Sequence, residues 1–283
     1  MKKFLLIILF IAFSSSLVVA SDNNRKVFVN ACMQSIKEGK GLDTLASVYD
    51  LKGERLEIQI EYFRSVTQNI AFSERLCNDS FQLVGKNKEI MNKVLKEAED
   101  TGMSLTGLTL LAQLQIQYLA KGVRYLSAEK RVPYFEYTAQ LFTILPPTYC
   151  KKMMKGEAIS PMESNSIQFL ALQKLPLENV RKYLDFTKDA MFAEIFNESK
   201  KAYRVSNEKI ALIDSAVYEF LESRSIYLTS PQHTLQVLFG LKEGSDEEYC
   251  EAGRFYYKAL AEMQGELGDL ARIYVSNSIF PEL

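Results

Sequence analysis

The chain has 283 residues, 47% of them hydrophobic and 24% charged, with 34 basic and 35 acidic side chains. A chain of that length buries roughly 70–75% of the surface its unfolded form exposes, and the composition excludes a disordered or low-complexity protein. The near-neutral balance excludes the basic footprint of a nucleic-acid binder and that of a polybasic membrane-surface protein.

The first element in chain order is a leader. Lys2 and Lys3 precede an apolar run from Phe4 to Phe13, Ser14 to Ser16 soften it, and Val18-Val19-Ala20 offers small residues before Ser21. This layout predicts a secretory signal peptide over residues 1–20, cleaved after Ala20. The run is shorter than the roughly 20 residues a spanning helix needs. Without the two leader lysines, 32 basic side chains face 35 acidic ones, a net charge of −3. Cys32 is the first cysteine, so no lipid-anchor cysteine adjoins the cleavage site. The expectation is a protein exported to the periplasm or medium, with no stable membrane insertion after cleavage.

Helical spacing then recurs along the chain. Val27–Lys37 reads as a helix stopped by Gly39 and Gly41, and Leu42–Leu51 as a short one ended by Gly53. Glu54–Ile70 alternates like a strand over Leu56-Glu57-Ile58-Gln59-Ile60, yet Leu56, Ile60, Phe63 and Ile70 share a helical face, and the length favours a helix. A helix around Cys77 ends near Gly85, and Lys88–Ala98 forms another. Ser104–Ala120 has no charged residue; apolar nearly all round, it is expected to be a buried central helix of the N-terminal half.

Leu126–Val132 reads as a connection, with a helix from Pro133 to Pro146-Pro147. Ser160-Pro161-Met162-Glu163 and Ser245-Asp246-Glu247-Glu248 have the form of capping boxes, and Ser230-Pro231 repeats the Ser-Pro start. Leu177–Val205 reads as one long helix and Asn207–Tyr227 as the next. A helix from Ser245 through Met263 and one over Glu266–Ser276 close the chain. No repeat with a period near 34 residues is present. Together these predict an all-α fold of roughly nine to eleven helices, as a disulfide-stapled bundle or short α-solenoid. Its expected halves are residues 21–126 and 127–283.

Cys32, Cys77, Cys150 and Cys250 are an even set in an exported chain, which predicts disulfides. Each sits on the apolar stripe of a helix: Phe28, Cys32 and Ile36 align, as do Cys77, Phe81 and Val84, and Cys250, Gly253, Tyr257 and Leu260. Three pairings are open, and the favoured one is sequential, Cys32–Cys77 and Cys150–Cys250. The surroundings echo one another, as in a duplication. No cysteines lie close enough in sequence for a zinc site, and no metal or other cofactor is expected.

The chemistry-bearing residues are few. His233 is the single histidine, so a Ser-His or Cys-His catalyst would have to use it; a surface or capping role suits its place after Ser230-Pro231. Glu222-Ser223-Arg224-Ser225-Ile226-Tyr227 resembles the Glu-Ser-x-Phe/Tyr start of the lytic transglycosylase signature, which implies a buried general acid at Glu222. The aromatic is displaced, however, and the Gly-Leu-Met-Gln element is missing, with only Gly240-Leu241-Lys242-Glu243 downstream. The competing reading places Glu222 and Arg224 on the wet face of a helix whose dry face is Val217, Phe220 and Leu221. Asp246, Glu247, Glu248 and Glu251 suit a first helical turn, and Lys151, Lys152 and Lys155 a helix end. Asn78-Asp79-Ser80 and Asn197-Glu198-Ser199 are glycosylation sequons.

With the cysteines consumed in disulfides, no catalytic residue is singled out. The expectation is an exported, soluble, non-catalytic helical binding protein of the cell envelope, an immunity, inhibitor or scaffold partner of another envelope or secreted protein. The alternative is a cell-wall- or lipid-directed hydrolase using carboxylates in a helical groove.

Overall fold

The computed structural model describes residues 22–39, 50–84, 105–197 and 201–280. The leader at 1–20, the helix expected over 88–98 and residues 42–49 of the helix expected over 42–51 lie outside them. The described residues form α-helices and no strand. They are α1 (Asp22–Lys37), α2 (Glu54–Thr67), α3 (Ile70–Val84), α4 (Leu105–Gly122), α5 (Val132–Leu141), α6 (Pro147–Lys155), α7 (Pro161–Lys174), α8 (Leu177–Phe196), α9 (Asn207–Ser225), α10 (Pro231–Leu238), α11 (Asp246–Glu262) and α12 (Gly265–Ile279). Two short 3₁₀ turns, Val123–Tyr125 and Glu129–Arg131, link α4 to α5. Among the described residues no helix is long and apolar enough to cross a membrane.

The twelve helices among the described residues exceed the expected nine to eleven. The proline pair expected to end one helix also starts the next, α6, which carries Cys150. Pro147 occupies the first turn of α6, where the N–H it lacks has no partner within the helix. A second departure is α8, which ends at Phe196 instead of running to Val205. Tyr203 N–H donates to Arg124 O at 2.8 Å, and its carbonyl accepts from Asn277 Nδ2 at 2.9 Å. Those backbone groups are spent elsewhere and cannot continue a helix. A third is α4: Leu114 and Tyr118 are buried, but Gln113 and Ile116 are exposed, so its described C-terminal half buries one face.

The chain divides into two compact units, one comprising the described residues up to Leu119 together with Glu194–Phe196, the other those of Ala120–Ala193 and Asn197–Leu283. In the first, α3 packs on α1 and α2. Cys32 and Cys77 bond across α1 and α3, and beside them the Phe28 and Phe81 rings lie 5.5 Å apart. Arg75 Nε and Tyr118 Oη both donate to Asp79 Oδ2, at 2.8 and 2.6 Å.

In the second unit α11 is central, with α5, α6, α9, α10 and α12 packed around it. Its stripe of Tyr249, Ala252, Gly253, Tyr257 and Leu260 is buried, and Cys250 bonds Cys150 of α6. Phe142 lies 5.6 Å from Tyr257, Tyr134 5.6 Å from Phe186, and Tyr137 stacks on Tyr183 at 3.9 Å. Each unit thus holds one disulfide, in the sequential pairing, and among the described residues no cysteine is free. Two disulfides suit an oxidising compartment.

Candidate functional site

The surface of the second unit is unusual along α9 and α10. Ser206 precedes α9 in an extended conformation, and Ile213, Val217, Leu221 and Ser225, four residues apart, form its buried stripe. This stripe packs α9 on α12, α10 and α11. Pro231 starts α10, whose Thr234 and Val237 are buried. Gly240, at φ 69°, closes it in the left-handed region, and Leu241 N–H reaches back to Gln236 O at 2.8 Å. This is the six-to-one closure typical of a helix ending in glycine.

Large apolar side chains remain outside that packing. Leu212 and Tyr218 project from α9, Ile226 and Tyr227 occupy the turn that ends it, and Phe239 and Leu241 follow α10. Leu212 is 60% exposed, Tyr227 77% and Leu241 79%. The Tyr218 and Phe239 rings meet at 5.3 Å, so α9 and the end of α10 share one apolar surface. Burying such a side chain is worth about 1.5–3 kcal/mol, which makes a concentration of six on one helix pair a candidate docking face. In the sequence, Val217, Phe220 and Leu221 mark one side of α9, and Leu212 and Tyr218 belong to no such stripe. Their only signal was apolar character off that stripe.

The other candidate residues fall elsewhere. Glu222 is exposed on α9; a general acid of the transglycosylase kind needs a carboxyl raised by burial, and Glu222 lacks that burial. Arg224 lies over the Phe220 ring at 5.3 Å. His233 Nε2 lies 2.7 Å from Glu248 Oε1, and among the described residues no serine or cysteine is hydrogen-bonded to it. Glu248 Oε2 accepts from Ser245 N–H, completing a capping box, and that backbone bond above all holds its carboxyl below the usual range.

Lys151 and Lys155 both lie near Glu243, at 3.5 and 2.6 Å, and Lys151 is 3.4 Å from Asp246. They form a partly exposed ion-pair fringe beside the Tyr249 ring. Burial raises the Tyr134, Tyr137, Tyr256 and Tyr257 hydroxyls well above the usual tyrosine range, so they pack as neutral groups. The first sequon is closed within α3: Asn78 Oδ1 accepts from Arg25, Asn78 Nδ2 donates to Glu74 O, and Ser80 is buried. In the second, residues 198 and 199 lie outside the described residues.

No protein-family model matches the chain, and no curated protein or solved structure matches it.

Proposed function

We propose that this is an exported, non-catalytic helical binding protein of the cell envelope that holds another envelope or secreted protein through the α9–α10 face. The observation that carries the reading is the set of six large apolar side chains left exposed on that helix pair. Two features support it. The face rests on α11, which the Cys150–Cys250 bond ties to α6, and a preorganised surface lowers the ordering cost of association. The disulfides also agree with an oxidising compartment outside the cytoplasm.

The test is capture from an envelope extract of the source organism, with the intact chain and a Leu212→Ser, Tyr218→Ser double variant as baits. One stoichiometric partner is expected on the first bait, depleted at least about tenfold on the second, a loss of about 1.4 kcal/mol. Equal capture by both baits, or no partner on either, overturns the reading.

A further inference from the structure

The outward face of α9 carries charge of one sign around its apolar side chains. Glu208 and Leu212 are four residues apart, as are Tyr218 and Glu222, and Glu219 lies two turns after Leu212, so all five project on neighbouring rows of one helix surface. All five are exposed. Among the described residues no ion pair involves Glu208, Glu219 or Glu222; Glu219 accepts only the Ser215 hydroxyl, at 3.1 Å. The two basic residues of the helix are engaged elsewhere, Lys209 with Glu266 at 2.7 Å and Arg224 over Phe220.

We infer that this face binds a basic amphipathic helix of the partner protein, one whose leucine-like stripe is flanked by lysine or arginine. The inference rests on the proposed binding function and adds the class of partner. Three alternatives meet a physical obstacle. A second copy docking by two-fold symmetry would bring the same carboxylates face to face. An anionic lipid surface attracts basic segments and repels this one. An acidic partner helix would desolvate like charges beside Leu212 and Tyr218, and such juxtapositions are costly. A cationic helix buries the two apolar side chains and neutralises the carboxylates together, the helix-on-helix mode of recognition. From Glu208 to Glu222 the face rises about 20 Å, room for a partner helix of roughly four turns.

The experiment is fluorescence anisotropy with two labelled helical peptides of identical leucine spacing, one with lysine at every polar position and one with glutamate. The lysine peptide is expected to bind saturably and to weaken with added salt, and the glutamate peptide not to bind. Glu219→Lys with Glu222→Lys should weaken lysine-peptide binding about tenfold or more, equivalent to about 1.4 kcal/mol. Leu212→Ser with Tyr218→Ser should weaken it as well. The charge-matched control, Glu129→Lys with Glu178→Lys on other elements, should leave it within about twofold. Equal binding of the two peptides, no saturable binding, or equal weakening by the control overturns the inference. A partner captured through α9 whose contact segment is acidic or uncharged overturns the partner class and leaves the binding function standing. Capture of no partner at all overturns the binding function itself.

Discussion

Arg131 Nη1 donates to Asn277 Oδ1 at 2.8 Å, tying the turns ahead of α5 to the last turns of α12. Arg131 is fully buried and has no carboxylate partner among the described residues. Its Nε donates to Leu126 O at 3.0 Å, Nη1 also to Ser276 Oγ and Ile273 O, and Nη2 to Arg124 O. Burial lowers its pKa to about 10, which leaves it charged at neutral pH. The compensation comes from oxygens, several in the final turns of α12, where the helix dipole is negative. Arg131→Met is therefore expected to destabilise the protein by about 3 kcal/mol, because several buried acceptors lose their donor together. Arg131→Lys keeps the charge but not the fork of donors, and should cost about 2 kcal/mol. Urea unfolding monitored by circular dichroism measures both, and unchanged midpoints would show that the knot contributes nothing.

The approach of α11 to Phe142 gives a prediction in which two effects have opposite sign. A Cβ built on Gly253 lies about 2.6 Å from Phe142 Cδ1 and Cζ, a separation real Cβ atoms do not show. Helix propensity alone says that Gly253→Ala stabilises by about 0.5–1 kcal/mol. Overpacking says that it destabilises by about 1–3 kcal/mol. Phe142 is itself buried, 5.6 Å from Tyr257, so the ring cannot swing out freely and the overpacking effect should win. Gly253→Ala is expected to lower the thermal midpoint, and Phe142→Leu in the same chain to recover part of the loss. A raised midpoint for the single variant would mean that α11 moves away at little cost.

Features dictated within one turn of chain were legible in the sequence. Ser160 with Glu163 and Ser245 with Glu248 form both arms of their capping boxes, since that geometry needs only residues three apart. Of the stripe Cys250, Gly253, Tyr257 and Leu260, the last three are buried and Cys250 is half-buried in its bond to Cys150, as apolar spacing alone indicates. What depended on distant partners was not legible. The overrun of α8 past Phe196 is corrected by Arg124 and Asn277, which lie about 75 residues away on either side of Tyr203. Arg131 carries no sequence mark of burial, because its acceptors come from both ends of one unit. The α9 face was silent for the same reason: Leu212 and Tyr218 differ from Ile213 and Val217 only in which side α10, α11 and α12 cover.

The capping boxes also predict how stability responds to acid. Lys152 Nζ donates to Glu163 Oε1 and Ser160 N–H to Oε2, the latter at 2.8 Å. The lysine first, then the Ser160 backbone, push the Glu163 carboxyl down to about 2 from its ordinary 4.5. Glu243 is lowered by Lys155 and Glu248 by the Ser245 backbone. A carboxyl depressed in the folded state binds its proton more weakly there than in the unfolded chain. Its contribution to stability is complete above pH 4.5 and is lost as pH falls through the folded value. The urea midpoint is therefore expected to fall steadily from pH 4.5 toward pH 2. Glu163→Gln, which cannot ionise, should flatten that decline, and high salt should shrink the part due to the partly exposed Lys152 pair. A Glu163→Gln protein with the full acid slope of the parent would show that the Ser160–Glu163 box and its lysine do not sense pH in this range.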